Sequence, residues 1–300
     1  EANPGTVTPE HLTVWQQMGI NRVSLGLQSA QNRELQMLGR IHSYEEFLTT
    51  YQMIRQSGMD QINIDVMAAI PEQTLESYQD TLEKIVSLNP EHISSYSLII
   101  EPGTVFGDWE KNGTLKHVDE DVDRQMYEWT GKYLQHMGYQ RYEISNYCRD
   151  GMECRHNCVY WSGGEYLGLG VNASSYLTGY RFHVPVSQKT YRSYVDRICV
   201  LAEKESEGLK KAVQEMDELE FIDRRAQMEE FMFLGLRMMA GVSEQEFYQR
   251  FGISMMEVYG DIIKKYQNMD LLCRRDTGRV ALTEKGIDVS NSILSDFLLN

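Results

Sequence analysis

The regular exchange of strand-like and helix-like patterns over the first third of the chain most constrains its fold. Alternating polar and apolar residues predict strands, and apolar residues spaced three to four apart predict helices. The two patterns exchange at intervals of about 30 residues, which is typical of βα units on a parallel sheet or barrel. The predicted strands lie at residues 21–28, 61–66 and 92–100, and the helices at 9–19, 44–57 and 75–88. Residues 1–5 resemble the end of a further strand.

The rest of the chain differs in character. A long helix, 119–137, and a strand, 142–147, precede a Gly-, Asn- and aromatic-rich stretch, 151–180, that we expect to be an ordered, loop-rich insert. Helices at 226–239, 243–250 and 254–268, a hairpin around Asp276–Gly278 and a helix at 284–298 follow the winged-helix order. The predicted domains are therefore 1–105 (partial barrel), 106–215 (α+β insert) and 216–300 (winged-helix-like).

Composition and charge exclude several classes of function. The chain has 44 acidic and 29 Lys and Arg side chains, a net charge of −15, which disfavours binding to nucleic acid. Residues 211–300 carry 11 basic and 16 acidic side chains, so the predicted winged helix lacks the basic surface of a DNA reader. No apolar run reaches the ~18 residues of a membrane span. Five cysteines, an odd number, favour a reducing compartment and predict a cytoplasmic protein.

Polar residues stand where the predicted strands end. Glu1, Gln28 and Asp65 lie at or near successive strand ends, and Arg40 follows the next helical stretch. Such positions meet at one face of a βα barrel. Two acids, an amide and a guanidinium would suit a zwitterionic ligand with hydroxyl groups. The structural alternative is that Gln28 and Asp65 cap helices while Arg40 forms a surface ion pair.

Four sequence strings together resemble one family. They are EANPGT at 1–6, RVSLGLQS at 22–29, LGRIH at 38–42 and DVMAAIPEQT at 65–74. They resemble a radical S-adenosylmethionine (SAM) family that contains the oxygen-independent coproporphyrinogen III oxidases and a branch of heme chaperones. The resemblance implies the C-terminal half of a partial (β/α)6 barrel, from the end of strand three to strand six.

The resemblance also implies a role for each candidate. Glu1 would bind the amino group of SAM and Arg40 its carboxylate. Gln28 and Asp65 would lie near the ribose, and Ile99 beside the adenine. The family's [4Fe–4S] cluster is held by a CxxxCxxC motif that this chain lacks, so the resemblance places the cluster ligands before Glu1 and implies a fragment. Cys148, Cys154 and Cys158 have neither that spacing nor that of a zinc site, and we expect ordinary thiols.

The insert distinguishes the branches of the family. His156 to Trp161 fits HNxxYW, which resembles the chaperone branch. A neutral imidazole is a common axial ligand of heme iron, so His156, Tyr160 and Trp161 are candidate heme-binding residues. The alternative is that His156 stabilises a buried loop while Trp161 fills the core.

The function that follows is a heme chaperone with a SAM pocket, whose partners are heme or another porphyrin and a heme-acceptor protein. The alternative is a coproporphyrinogen III oxidase of porphyrin biosynthesis.

Overall fold

The computed structural model describes residues 1–184, 187–202 and 219–299. The chain divides into two compact units, Glu1–Glu153 and Cys154–Asn300. The three-domain division stays a prediction, and its boundary at 215/216 lies outside the described residues. Within the described residues, no helix is long and apolar enough to cross a membrane.

The first unit is a sheet with helices on one face. Its elements are α1 Pro9–Gln17, β1 Arg22–Gln28, α2 Asn32–Met37, α3 Tyr44–Gln56, β2 Gln61–Ala68, α4 Leu75–Ser87, β3 His92–Ser97, α5 Val105–Lys111, α6 Glu120–His136, β4 Gln140–Arg141 and β5 Asn146–Cys148. The strand order is β1-β2-β3-β5-β4, with β1 to β3 parallel and β5 antiparallel to both of its neighbours.

The predicted strand end at residues 1–5 is present as a short bridge. Ala2 pairs in parallel with Leu25. Its amide donates to the Ser24 carbonyl at 2.9 Å, and its carbonyl accepts from the Gly26 amide at 3.1 Å. The first residues of the chain therefore lie beside β1 and run parallel to it.

The two faces of this sheet differ in polarity. Ile62, Ile64 and Val66 of β2 are fully buried in a core with residues of α3 and α4, such as Phe47 and Leu82. Because side chains alternate along a strand, the intervening Asn63 and Asp65 lie on the opposite face. On that face Ser24 of β1 and His92 of β3 also form hydrogen bonds with Asn63. The polar face carries the candidate site.

The second unit contains two small antiparallel sheets and a helical set. Its elements are α7 Arg155–Trp161, β6 Ser174–Leu177, β7 Tyr180–His183, α8 Gln188–Ala202, β8 Glu220–Phe221, α9 Arg224–Gly235, β9 Val242–Ser243, α10 Glu244–Phe251, α11 Met255–Asn268, β10 Leu272–Arg275, β11 Arg279–Leu282, α12 Glu284–Asp288 and α13 Ser290–Ser295. From α9 to β11 the helix and strand order, with sheet order β10-β11-β9, is that of a winged helix. Buried Phe247, Tyr259 and Phe297 form its aromatic core, with neighbouring rings 6.0 and 5.4 Å apart.

Local predictions are corrected at two places. The stretch 151–180 consists mostly of turns and loops, as expected, and it also holds a helix, α7, and one strand of a hairpin. The strand expected at 142–147 is shortened to Asn146–Cys148, because the Glu143 carboxylate accepts from the Ser145 amide in a turn. The single helix expected at 284–298 is broken at Val289, whose φ of −116° and ψ of 23° leave the helical region.

Candidate functional site

Gln28 ends β1 in an unusual backbone conformation. Its φ is +76°, and the pairing register with β2 shifts between Leu25 and Gln28, which marks a bulge. The side chain is buried, and its Oε1 accepts a 3.0 Å hydrogen bond from the Tyr96 hydroxyl. A Cβ on Gly26 would approach the Gln28 Nε2 to 3.2 Å, so glycine keeps space for this amide. The bulge thus turns an amide group onto the polar face.

Asp65 lies beside this amide in the middle of β2. Asn63 Nδ2 donates to its Oδ1 at 2.7 Å, and Ser24 Oγ donates to its Oδ2 at 3.1 Å. Burial raises the pKa of the Asp65 carboxyl, and the negative charge of Glu1 raises it further, while the hydrogen bonds oppose the shift. The carboxylate is therefore a strong, partly desolvated acceptor.

Arg40 reaches the same region from the turn after α2. The turn closes through the Arg40 amide, which donates to the Leu35 carbonyl at 2.9 Å, with Gly39 at a φ of +68°. Arg40 Nη1 donates to the Asn3 side-chain oxygen at 3.1 Å, which joins it to the segment that follows Glu1. Within residues 1–184, 187–202 and 219–299 it has no ion-pair partner, unlike in the structural alternative.

Tyr96 connects these groups and was missed by the sequence reasoning. Burial raises the pKa of its hydroxyl, and the charges of Asp65 and Glu1 add to the rise, while Arg40 lowers it. Of the predicted residues, Gln28 hydrogen-bonds to Tyr96, and the charges of Glu1, Arg40 and Asp65 act on its hydroxyl. The signal that could have revealed Tyr96 is its spacing along β3, where His92, Ser94 and Tyr96 stand at every second position. Ile99 lies two residues beyond β3, with 76% of its surface exposed.

The donors and acceptors of the polar face fit SAM. Glu1 matches an ammonium group and Arg40 a carboxylate, while Asp65 and Gln28 match hydroxyl groups. The cysteines do not fit a [4Fe–4S] cluster. Cys148 is buried in β5, Cys154 and Cys158 belong to the second unit, and no group of three metal ligands occurs among the described residues.

The HNxxYW residues occupy two faces of α7. His156 and Tyr160, four residues apart, share one face, where His156 Nε2 lies 2.8 Å from the Tyr160 hydroxyl. The Tyr160 ring meets Tyr166 edge to face at 4.5 Å. Residue His156 is exposed, so an imidazole and an aromatic wall stand at the surface of this unit.

Trp161 lies on the other face of α7, apart from His156 and Tyr160. It is partly buried beneath the Arg237 guanidinium, which lies 4.6 Å from its ring. It lines a cleft of about 330 Å³ together with Arg155, Phe231 and Met238. The structure therefore separates Trp161 from the His156–Tyr160 pair, and the three residues do not form one wall.

Comparison with known proteins identifies the class of protein to which the chain belongs. Residues 1–85 match the model of the radical SAM superfamily, and residues 222–289 match that of the HemN C-terminal domain. A solved structure of coproporphyrinogen III oxidase (HemN) from Escherichia coli aligns with a TM-score of 0.75 at 18% identity, covering 99% of this chain and 68% of that one. That likeness shows the fold alone. Fold and matched models together define a radical SAM protein with a HemN-type C-terminal domain.

Two sequence relatives narrow the class. The heme chaperone HemW of Lactococcus lactis is 34% identical over 300 residues, 100% of this chain and 75% of the relative. That of Bacillus subtilis is 33% identical over 298 residues, 99% of this chain and 75% of the relative. The chain belongs to the heme chaperone HemW family.

Proposed function

We propose that this protein binds SAM on the polar face of the first unit, binds heme on α7, and passes heme to an acceptor protein. The observation that carries the heme part is the exposed His156 imidazole beside the Tyr160 and Tyr166 rings, which meet edge to face. Imidazole suits heme iron as an axial ligand, and aromatic edges pack against a macrocycle.

The SAM part of the proposal depends on Glu1, Gln28, Arg40 and Asp65. Arg40 holds the methionine carboxylate and Glu1 the ammonium group. Asp65 accepts hydrogen bonds from the ribose hydroxyls, and Gln28 donates to them. Ile99, exposed after β3, covers one side of the adenine. A reduced [4Fe–4S] cluster would supply the electron that breaks a carbon–sulfur bond of SAM. Because no cysteine set of this chain fits that cluster, none of these roles passes through it.

Heme binding on α7 requires one local change. His156 Nε2 faces the Tyr160 hydroxyl at 2.8 Å, so coordination through this nitrogen replaces that hydrogen bond. Trp161, on the other face of α7, packs against Arg237, which follows α9, rather than meeting the iron. The odd number of cysteines suits a reducing compartment, and the proposed site of the transfer is the cytoplasm.

A hemin titration tests this proposal. We expect a shifted Soret band with the unaltered protein, and at least about tenfold weaker binding with His156→Ala, because the axial ligand is lost. His183→Ala is the matched control, since it removes another exposed imidazole of the same unit. Tyr160→Phe frees Nε2 and is expected to bind hemin at least as tightly.

Either of two results contradicts the proposal. Unchanged binding by His156→Ala shows that another group holds the iron. No Soret shift with the unaltered protein removes heme binding altogether.

A further inference from the structure

A chain of hydrogen bonds runs across the polar face behind Asp65. Asn63 is 4% exposed and His92 is 1% exposed, so neither side chain meets bulk water. Asn63 Nδ2 donates to Asp65 Oδ1 and to Ser24 Oγ, each at 2.7 Å. On its other side, Asn63 Oδ1 lies 2.6 Å from His92 Nδ1 and 3.2 Å from Ser94 Oγ.

The chemistry of the partners fixes the direction of every bond in this chain. An ionised Asp65 carboxylate only accepts, so the Asn63 amide must turn its NH2 toward it. The Asn63 carbonyl oxygen then faces His92 and accepts, so His92 Nδ1 must carry the proton. His92 Nε2 is left as an acceptor, and the Tyr142 hydroxyl donates to it at 2.9 Å.

The burial of His92 supports a single neutral tautomer. Burial lowers the pKa of this imidazole to about 3, and the nearby charge of Arg22 acts in the same direction. At neutral pH the ring therefore carries one proton, and Asn63 and Tyr142 together place it on Nδ1. Reversing the Asn63 amide would set its oxygen against the Asp65 carboxylate and leave two buried acceptors facing each other, which is unfavourable.

We propose that His92 is a positioning residue for the SAM ribose, acting through Asn63 on Asp65. The Nδ1–H tautomer fixes the Asn63 amide, and that amide holds the Asp65 carboxylate together with the Ser24 and Ser94 hydroxyls. The remaining lone pairs of the carboxylate are then aimed at the ribose hydroxyls before the ligand arrives. This inference rests on the SAM pocket proposed above.

Two amide variants test the position of the donor. In His92→Asn the amide nitrogen takes the place of Nδ1 and still donates to Asn63. In His92→Gln the longer side chain carries its amide toward the place of Nε2, so the donor to Asn63 is lost although polarity is preserved. Calorimetry measures the dissociation constants of S-adenosylhomocysteine and of its 2′-deoxy and 3′-deoxy ribose analogues. The readout is the ratio of each analogue's dissociation constant to that of S-adenosylhomocysteine. A general structural defect would weaken all three ligands alike and leave the ratios unchanged.

We expect the unaltered protein to prefer S-adenosylhomocysteine over at least one deoxy analogue by about tenfold or more, the range of a hydrogen bond to a charged acceptor. His92→Asn is expected to keep that ratio and His92→Gln to lose most of it. Nitrogen-15 NMR of the unaltered protein provides a second readout, and it should show His92 protonated at Nδ1 only.

Three results would overturn the inference. A ratio that His92→Gln leaves intact, or a His92 protonated at Nε2, refutes the positioning role and leaves the SAM pocket standing. Failure of the unaltered protein to bind S-adenosylhomocysteine refutes the pocket, and the positioning role with it.

Discussion

Asp65 shows how the candidate site trades stability for binding. Burial raises the pKa of its carboxyl, so ionisation opposes folding. The cost is present above the raised pKa and disappears as the pH falls below the value of the unfolded chain, near 3.8. The position of Asp65 in a strand was visible in the sequence. Tyr96, Asn63 and His92 were not, because ordinary core polar residues show the same alternation.

We expect Asp65→Asn to unfold at a higher temperature than the unaltered protein at pH 7.5, since the neutral amide avoids the cost of a buried charge. The advantage should shrink as the pH is lowered toward 4. S-adenosylhomocysteine should bind the variant about tenfold or more weakly. Scanning calorimetry and titration measure the two effects, and Asp60→Asn, an exposed position next to β2, is the control. A variant that is less stable at both pH values would contradict this account of Asp65.

His92 carries the opposite pH dependence. Its pKa is lowered to about 3 in the folded protein, so the unfolded chain takes up a proton below about pH 6.5 that the folded protein does not. The protein should therefore lose stability as the pH falls from about 6.5 toward 3, at up to ~1.4 kcal/mol per pH unit from this group. Urea unfolding between pH 7 and 4.5 measures the slope, and His92→Asn should flatten it. An equal slope in both proteins would show that His92 is accessible to protons in the folded state.

At the scale of elements, the sequence predicted the regular βα units best. The bounds of α3, α4 and β1 agree with prediction to within one or two residues, since strong periodicity and a capping box at Ser43 define them. Helix α7 was missed, because its seven residues leave no room for a helical repeat to show. In the tail, Ser243 caps α10, but Glu246 pairs with Arg279 at 3.4 Å, a tertiary contact that local sequence does not reveal.

Two glycines of the tail make opposite predictions. A Cβ on Gly286 in α12 would overlap the Leu271 carbonyl oxygen, which belongs to the backbone and does not yield. We expect Gly286→Ala to lower the free energy of unfolding by about 1–3 kcal/mol.

Gly260 lies inside α11, and the nearest atom to an added Cβ is the flexible Met256 Cε at 3.6 Å. Gly260→Ala should therefore raise the free energy of unfolding by about 0.5–1 kcal/mol. Chemical denaturation of both variants checks this, and a stable Gly286→Ala would mean that α12 shifts freely.

At the scale of the whole molecule, the two proposed ligands belong to different units. Glu1, Gln28, Arg40 and Asp65 fall within Glu1–Glu153, and His156 and Tyr160 fall within Cys154–Asn300. The order of barrel, insert and winged helix stays a prediction from the sequence, in which each part has its own pattern of periodicity. It did not reveal that α7 packs against α9, since that contact joins residues some 70 positions apart along the chain. The net charge of −15 remains the argument against nucleic acid as a ligand.

Hydrogen exchange followed by mass spectrometry, with and without each ligand, tests the central claim most directly, because bound ligands slow the local opening that exchange requires. We predict that S-adenosylhomocysteine slows exchange at the ends of β1, β2 and β3, and that hemin slows it at α7 and around Tyr166. Hemin protection confined to residues 1–153, or none in 155–166, would contradict the account of this protein as a carrier of heme on α7.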